Sequence, residues 1–265
     1  MTEEIAVKPK KKLREKSIYL VPNMFTIAAL FSSFYGILLA LNASIQQTDN
    51  YKPAALMVFI SMFLDGMDGR VARKLNAQSE FGAQLDSLAD MVSFGVAPAI
   101  IAYTWQLHHF QMGWAVAFIY CACAALRLAL FNVLIGVVDK RWFVGVPSPA
   151  AAALVAGLVW ISYDAKLTYY ISSYAMLYIS LFMVFYAGIS MVVPFKFWSF
   201  KELHLRKKVP FYFMFIPIVI LIVLVQMPAI TLFGFFVVYS LSGYTMVLWN
   251  VLVKKEPWPA YPSNE

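Results

Sequence analysis

The stretch FLDGMDGRVARKLNAQSEFGAQLDSLADMVSFG, residues 63–95, sets Asp65, Asp68, Asp86 and Asp90 within 26 residues of a chain that is 62% hydrophobic. Apolar runs flank it on both sides, so these acids have to be accommodated at or within membrane-crossing helices, where ionisable side chains mark function by default. Placed on helices, Asp65, Gly69 and Arg73 fall at i, i+4 and i+8, with Asp68 and Ala72 beside them. Gly82, Asp86 and Asp90 repeat the same spacing further on. Two antiparallel helices joined by a short turn would bring the two carboxylate faces together.

Outside this stretch the composition decides the class. The chain has 265 residues, only 13% of them charged, and a mean hydropathy of +0.70; this excludes a soluble globular protein. Apolar runs long enough to cross a hydrocarbon layer predict eight helices, near 19–42, 53–72, 82–104, 112–136, 147–163, 167–193, 209–226 and 228–253. The expected architecture is an all-α, multi-pass integral membrane protein of one helical domain. Its parts are a basic cytoplasmic or interfacial segment at 1–18, a six-helix catalytic core at 19–193, a basic loop with two more helices at 194–253, and a cytoplasmic tail at 254–265. The first apolar run is too long for the core of a cleavable signal and reads as a retained helix. Cys121 and Cys123 lie two apart in a predicted span and point to different sides, so they offer neither a disulfide nor a zinc site.

With both termini on one side, eight spans collect 18 cations there, against Lys52 and Lys166 on the other. The positive-inside rule makes the first side cytoplasmic. The net charge of +7 sits in clusters beside the apolar runs. That placement suits anionic lipid headgroups and argues against a nucleic-acid partner.

Four unpaired carboxylates at this depth would repel one another and be costly to desolvate, so they require protonation or cations. Two divalent cations would balance all four. With hard oxygen donors and no neighbouring His or Cys, the set favours Mg²⁺ or Mn²⁺ over zinc. A pair of such ions clamps phosphate oxygens. Arg73 offers a forked donor to a diphosphate, and the glycines at 69 and 82 remove side chains where a flat nucleotide would approach the backbone. Glycines in membrane helices also serve close packing, and that reading stands beside the first.

DGMDGRVARKLNAQSEFGAQLDSLAD resembles the signature of the CDP-alcohol phosphatidyltransferase family, D-x2-D-G-x2-A-R-x8-G-x3-D-x3-D, at Asp65, Asp68, Gly69, Ala72, Arg73, Gly82, Asp86 and Asp90. The resemblance implies a membrane-embedded homodimer that transfers a phosphatidyl-type group from a CDP-linked donor to an alcohol. It implies that Asp65, Asp68 and Asp86 ligate two metals, and that Asp90 both ligates and acts as general base. PNMFT resembles the family's first-helix segment, which places Asn23 and Thr26 near the nucleotide; hydrogen bonding within the helix bundle is the alternative role for both. Ser79, Gly69, Ala72, Arg73 and Gly82 match donor-binding positions.

LDSLADMVSFGVAPA, ALRLALFNV and FVGVPSPAAAA resemble the phosphatidylserine synthase branch of that family. This implies CDP-diacylglycerol as donor, L-serine as acceptor, CMP as leaving product and a bacterial or archaeal type of cell membrane as location. Ser87 and Met91 replace the proline and lysine typical of relatives that use glycerol phosphate. Leu130 stands where the serine branch usually carries a second arginine. Arg127, inside a predicted span, needs an anionic partner: a motif aspartate, the serine carboxylate or the donor phosphate. Asn132 is the expected acceptor for the serine ammonium, and shares a pocket with Arg127 only if the helix end loosens. His108, His109 and His204 read as solvated loop residues, and no H-x-K pair of the unrelated phospholipase D-like synthases occurs. Other acceptors, namely glycerol 3-phosphate, inositol or choline, are the runner-up reading. A divalent-cation transporter is the alternative from another class, but it leaves Arg73 and the glycine spacing without a role.

Overall fold

The computed structural model describes residues 10–48, 50–75, 77–134, 142–193, 196–198 and 215–249. The predicted tail and most of the predicted basic loop fall outside the described residues. The helices are α1 (Lys10–Ile45), α2 (Lys52–Lys74), α3 (Glu80–Asp90), α4 (Ala97–Trp105), α5 (Gly113–Leu134), α6 (Ser148–Asp164), α7 (Leu167–Tyr170), α8 (Ser173–Val192), α9 (Phe215–Gln226) and α10 (Pro228–Trp249). A π-helical segment, Met91–Val96, joins α3 to α4.

Helix lies within the described part of each of the eight ranges read from hydropathy; residues 135–136, 209–214 and 250–253 of those ranges lie outside the described residues. Among the described residues, five stretches are long and apolar enough to cross a membrane: Leu20–Ile45, Glu80–Trp105, Gly113–Val133, Ser173–Val192 and Pro228–Thr245. α2 has the length but carries charge at both ends, and α6 has 17 residues, about 25 Å at 1.5 Å per residue.

α6 is the centre of the bundle. Its run AAAALVAGLVW, residues 150–160, is buried on every side, which is the pattern of a core helix with no lipid face. The alanines let α2, α4, α8 and α10 approach its backbone closely, the packing that small residues permit where water supplies no driving force. The outer surface is the reverse, with Phe31, Phe63, Phe118, Phe182 and Ile218 all exposed. Only a hydrocarbon solvent suits so many bare aromatic and aliphatic side chains.

Four elements depart from the sequence expectation. α1 starts at Lys10 rather than near 19, because the basic segment contains good helix formers and no breaker before Pro22. The expected helix at 167–193 is broken at Ile171, which is extended, and Ser172 caps α8 by accepting from the Ala175 N–H at 3.3 Å. The expected helix at 82–104 contains the π segment. Finally, two three-residue strands, β1 (Trp142–Val144) and β2 (Lys196–Trp198), pair antiparallel with Phe143 opposite Phe197. The chain leaves β1 through Gly145 at φ 76, where a Cβ would lie 2.2 Å from the Met191 carbonyl oxygen; only glycine fits that approach.

Two contacts orient the bundle. Lys52 at the start of α2 pairs with Asp164 at the end of α6, and the buried Tyr51 hydroxyl donates to the Thr104 carbonyl at 2.8 Å. The His108–His109 turn lies on this same side, with ring centroids 3.9 Å apart. Partial burial, and then the neighbouring His108, lowers the His109 pKa below the ordinary imidazole value. Asp90 precedes Trp105 by 15 residues of helix, on the order of 20 Å of rise, so these histidines belong to the opposite end from the acids.

Candidate active site

α2 stops at Lys74 because the chain turns back on itself there. The Leu75 N–H donates to the Val71 carbonyl and the buried Ala77 N–H to the Ala72 carbonyl, both at 2.9 Å. Ser79 then caps α3 by accepting from the Gly82 N–H at 3.0 Å, which satisfies one of the free donors of the new helix. This short reversal makes α2 and α3 antiparallel, and it turns both i, i+4 stripes toward each other.

Asp65, Asp68 and Asp86 consequently offer oxygens that all lie within 4.8 Å of one another. Asp68 lies against Asp86, while Asp90, one turn further along α3, lies against Asp65. Asp90 is thus adjacent to the three-acid group rather than one of its three corners. Two like charges about 4 Å apart repel by roughly 4 kcal/mol at an effective dielectric of about 20, so this assembly requires protonation or compensating cations. The buried Asp86 Oδ1 makes no hydrogen bond. An all-oxygen donor set with one such bare oxygen fits a divalent metal ion, which Asp65, Asp68 and Asp86 would hold with Asp90 at its edge.

α1 closes the site from a third side. Thr26, 4% exposed, donates its hydroxyl to Asp68 Oδ2 at 2.7 Å. A Cβ at Gly82 would lie 3.1 Å from both Asn23 Oδ1 and Ser79 Oγ, so Asn23, Ser79 and Gly82 converge on one point. A side chain at position 82 would press on both neighbours, so Gly82 lies in a tight spot made by the chain itself. Gly69 is different: a Cβ there would meet nothing closer than the Arg73 guanidinium at 3.6 Å, an ordinary contact. Arg73 is exposed, its Nη1 and Nη2 lying over the bare backbone of Gly69. The missing side chain at 69 leaves room for a ligand rather than for a neighbouring helix. Ala72, half-buried, serves the turn through its carbonyl.

Arg127 and Asn132 of α5 do not meet. Arg127 Nη1 donates to Ser148 Oγ at 3.1 Å, at the start of α6, and its buried Nε has no hydrogen-bond partner. Asp90 and the α10 residue Tyr239 lie within its electrostatic reach. Asn132 is exposed and instead exchanges hydrogen bonds with Ser87, its Nδ2 donating to Ser87 Oγ at 3.1 Å. The two residues thus flank Asp90 through different elements. Ser148 and Tyr239 escaped the sequence reading; the helix-opening PSPAAAA marked the first, and nothing in the sequence marked the second.

Fold and site together define a class: a helical membrane protein with a metal-competent carboxylate cluster at one end of the bundle, where a cationic and glycine-lined face can receive a phosphorylated ligand. The family model for CDP-alcohol phosphatidyltransferases matches residues 19–186, and the chain belongs to that family. A CDP-diacylglycerol–serine O-phosphatidyltransferase of Helicobacter pylori (strain ATCC 700392 / 26695) is 33% identical over 241 residues, covering 90% of this chain and 96% of that protein. Proteins of the same name from Mycobacterium bovis and Methanocaldococcus jannaschii are 38% identical over 153 residues and 45% identical over 103. They cover 55% and 38% of this chain, and 51% and 47% of their own lengths.

Proposed function

We propose that this chain transfers the phosphatidyl group of CDP-diacylglycerol to L-serine, giving phosphatidylserine and CMP. The observation that carries the reading is the convergence of Asp65, Asp68 and Asp86 with Asp90 behind them, closed by Thr26 and faced by Arg73, in a chain whose relatives bear that enzyme name. Asn23, Ser79 and Gly82 form the nucleotide side of the donor pocket, and Gly69, Ala72 and Arg73 its diphosphate side. Two Mg²⁺ or Mn²⁺ ions held by Asp65, Asp68, Asp86 and Asp90 would neutralise the acids and withdraw charge from the diphosphate. Asp90 accepts the proton of the serine hydroxyl as that oxygen attacks the lipid-side phosphorus. The bond from phosphorus to the CMP oxygen breaks, and Arg73 stabilises the charge that gathers on the departing phosphate. Arg127 receives the serine carboxylate through its unpartnered Nε, and Asn132 accepts from the ammonium. A single displacement suffices.

Catalysis is assigned to the 19–193 core, in a protein that works as a homodimer with its site open to the cytoplasm, at the cation-rich side of a cell membrane. Lys52 and Asp164 pair at the opposite end of the bundle from the acids. The deciding experiment incubates purified protein with CDP-diacylglycerol and a panel of acceptors and follows CMP. Release is expected with serine and not with glycerol 3-phosphate or inositol; equal turnover with glycerol 3-phosphate would move the chain to another branch of the family. Single cysteines at 48 and 140, in a background lacking Cys121 and Cys123, test the orientation. Only position 48 should react with an impermeant reagent from outside intact cells.

A further inference from the structure

The helix that carries Asp86 and Asp90 changes its winding directly after Asp90. Over Met91–Val96 the chain is π-helical, the Ala97 N–H bonding back to the Val92 carbonyl. One extra residue in the turn rotates α4 by about 100° relative to an uninterrupted helix. Pro98, two residues beyond the segment, has no N–H to give the Phe94 carbonyl, its acceptor in the α-helical i to i−4 register. At membrane depth an acceptor left bare is costly. Tyr120 of α5, completely buried, fills that place by donating its hydroxyl to the Phe94 carbonyl oxygen at 2.8 Å.

A second side chain grips the same segment from the other flank. Ser33 Oγ of α1 lies 2.9 Å from both Ser93 Oγ and the Leu30 carbonyl oxygen, an arrangement satisfied when Ser93 donates to Ser33 and Ser33 to Leu30. Both serines are buried. The π segment is therefore held on either side by neighbouring helices, within one turn of Asp90.

We propose that Tyr120 is a positioning residue for Asp90: its hydroxyl replaces the N–H that Pro98 lacks, holds the π turn, and thereby sets how Asp90 meets Asp65. The proposal rests on the reading of Asp90 as metal ligand and base. Tyr120 touches none of the acids and acts only through the backbone of the segment that follows Asp90. Tyr51 supplies an internal control, since its buried hydroxyl also donates to a carbonyl at 2.8 Å, but at the opposite end of the bundle.

Wild type, Tyr120→Phe, Tyr51→Phe, Asp90→Asn and the Tyr120→Phe/Asp90→Asn double variant are purified and compared. Thermal stability, Mn²⁺ binding from the EPR signal of the free ion, and CMP release are measured on each. Tyr120→Phe is expected to weaken Mn²⁺ binding about fivefold and lower kcat about tenfold, with KM for CDP-diacylglycerol within about twofold. Tyr51→Phe should lose comparable thermal stability and leave Mn²⁺ affinity and kcat unchanged. In the Asp90→Asn background, Tyr120→Phe should no longer alter Mn²⁺ affinity. Ser33→Ala, which releases the other flank of the turn, is read in the same assays and carries the test if Tyr120→Phe does not fold. The proposal is overturned if Tyr120→Phe weakens Mn²⁺ binding equally with and without Asp90, if Tyr51→Phe reproduces its effects, or if neither clamp variant changes Mn²⁺ affinity. A wild-type protein that binds Mn²⁺ but releases no CMP would overturn the function reading alone.

Discussion

α2 carries charge at both ends and treats the two in opposite ways. At its start, Lys52 meets Asp164 of α6, plus against minus, on a surface where both side chains keep substantial exposure. At its other end, Asp65 and Asp68 meet Asp86 and Asp90, minus against minus, in partial burial. The first arrangement resolves itself within the chain and contributes little, as exposed pairs do. The second calls for protons or cations and is held in place by the covalent turn, the Thr26 hydroxyl and the packing of three helices. The paired charge finds its partner within the fold; on the proposed function, ligand and metal bring the partner of the acids.

That contrast is broken most severely at the acids. Asp→Asn at Asp65, Asp68 or Asp86 should remove most turnover, and at Asp90 on the order of 10²–10⁴-fold, since on the proposed function a base is lost with a ligand. Excess Mn²⁺ should not rescue Asp90→Asn. In EDTA the wild type should be inactive, while Asp86→Asn should be as thermally stable as wild type or more so, because one member of a repelling group has been neutralised. Full wild-type turnover in EDTA would remove the metal from the account.

Arg127→Lys tests the boundary between structure and chemistry, because the residue has both a partner in Ser148 and a buried nitrogen without one. Keeping the charge but losing the fork should raise KM for serine roughly tenfold while KM for CDP-diacylglycerol moves less. Unchanged serine dependence would confine Arg127 to its bond with Ser148. Thr26→Val keeps the shape and deletes the donor to Asp68, a loss of about 1 kcal/mol or roughly fivefold in the Mn²⁺ concentration for half activity. Lys52→Met should do least, shifting stability by no more than about 1 kcal/mol and leaving kcat as it was. A large loss of activity from that substitution would mean that the far end of α2 is coupled to the site.

Much of the site was legible in 63–95 because helical periodicity needs only spacing: Asp65, Gly69 and Arg73 on one stripe and Gly82, Asp86 and Asp90 on the other follow from 3.6 residues per turn. The two helix interruptions had local signals, Ser172 as a cap and Pro98 as a proline suited to a kink or a helix start, inside uniformly apolar runs where hydropathy is blind to hydrogen bonding. The separation of Arg127 from Asn132 was partly legible too, since five residues place them about 140° apart on a helix. Which neighbour each would find was not.

Composition and period, which act locally, were enough to give a multi-pass helical membrane protein, the four acids as the proposed site, and the turn that brings two of them to the other two. Only the tertiary structure decided that Thr26 holds Asp68, that Gly82 is packed while Gly69 is open, that α6 is the buried axis, and that Arg127 reaches Ser148. These are meetings between helices far apart in the chain. Residues 26 and 68, or 94 and 120, have no periodic relation to one another; their contact depends on how whole helices pack, and no local propensity encodes that.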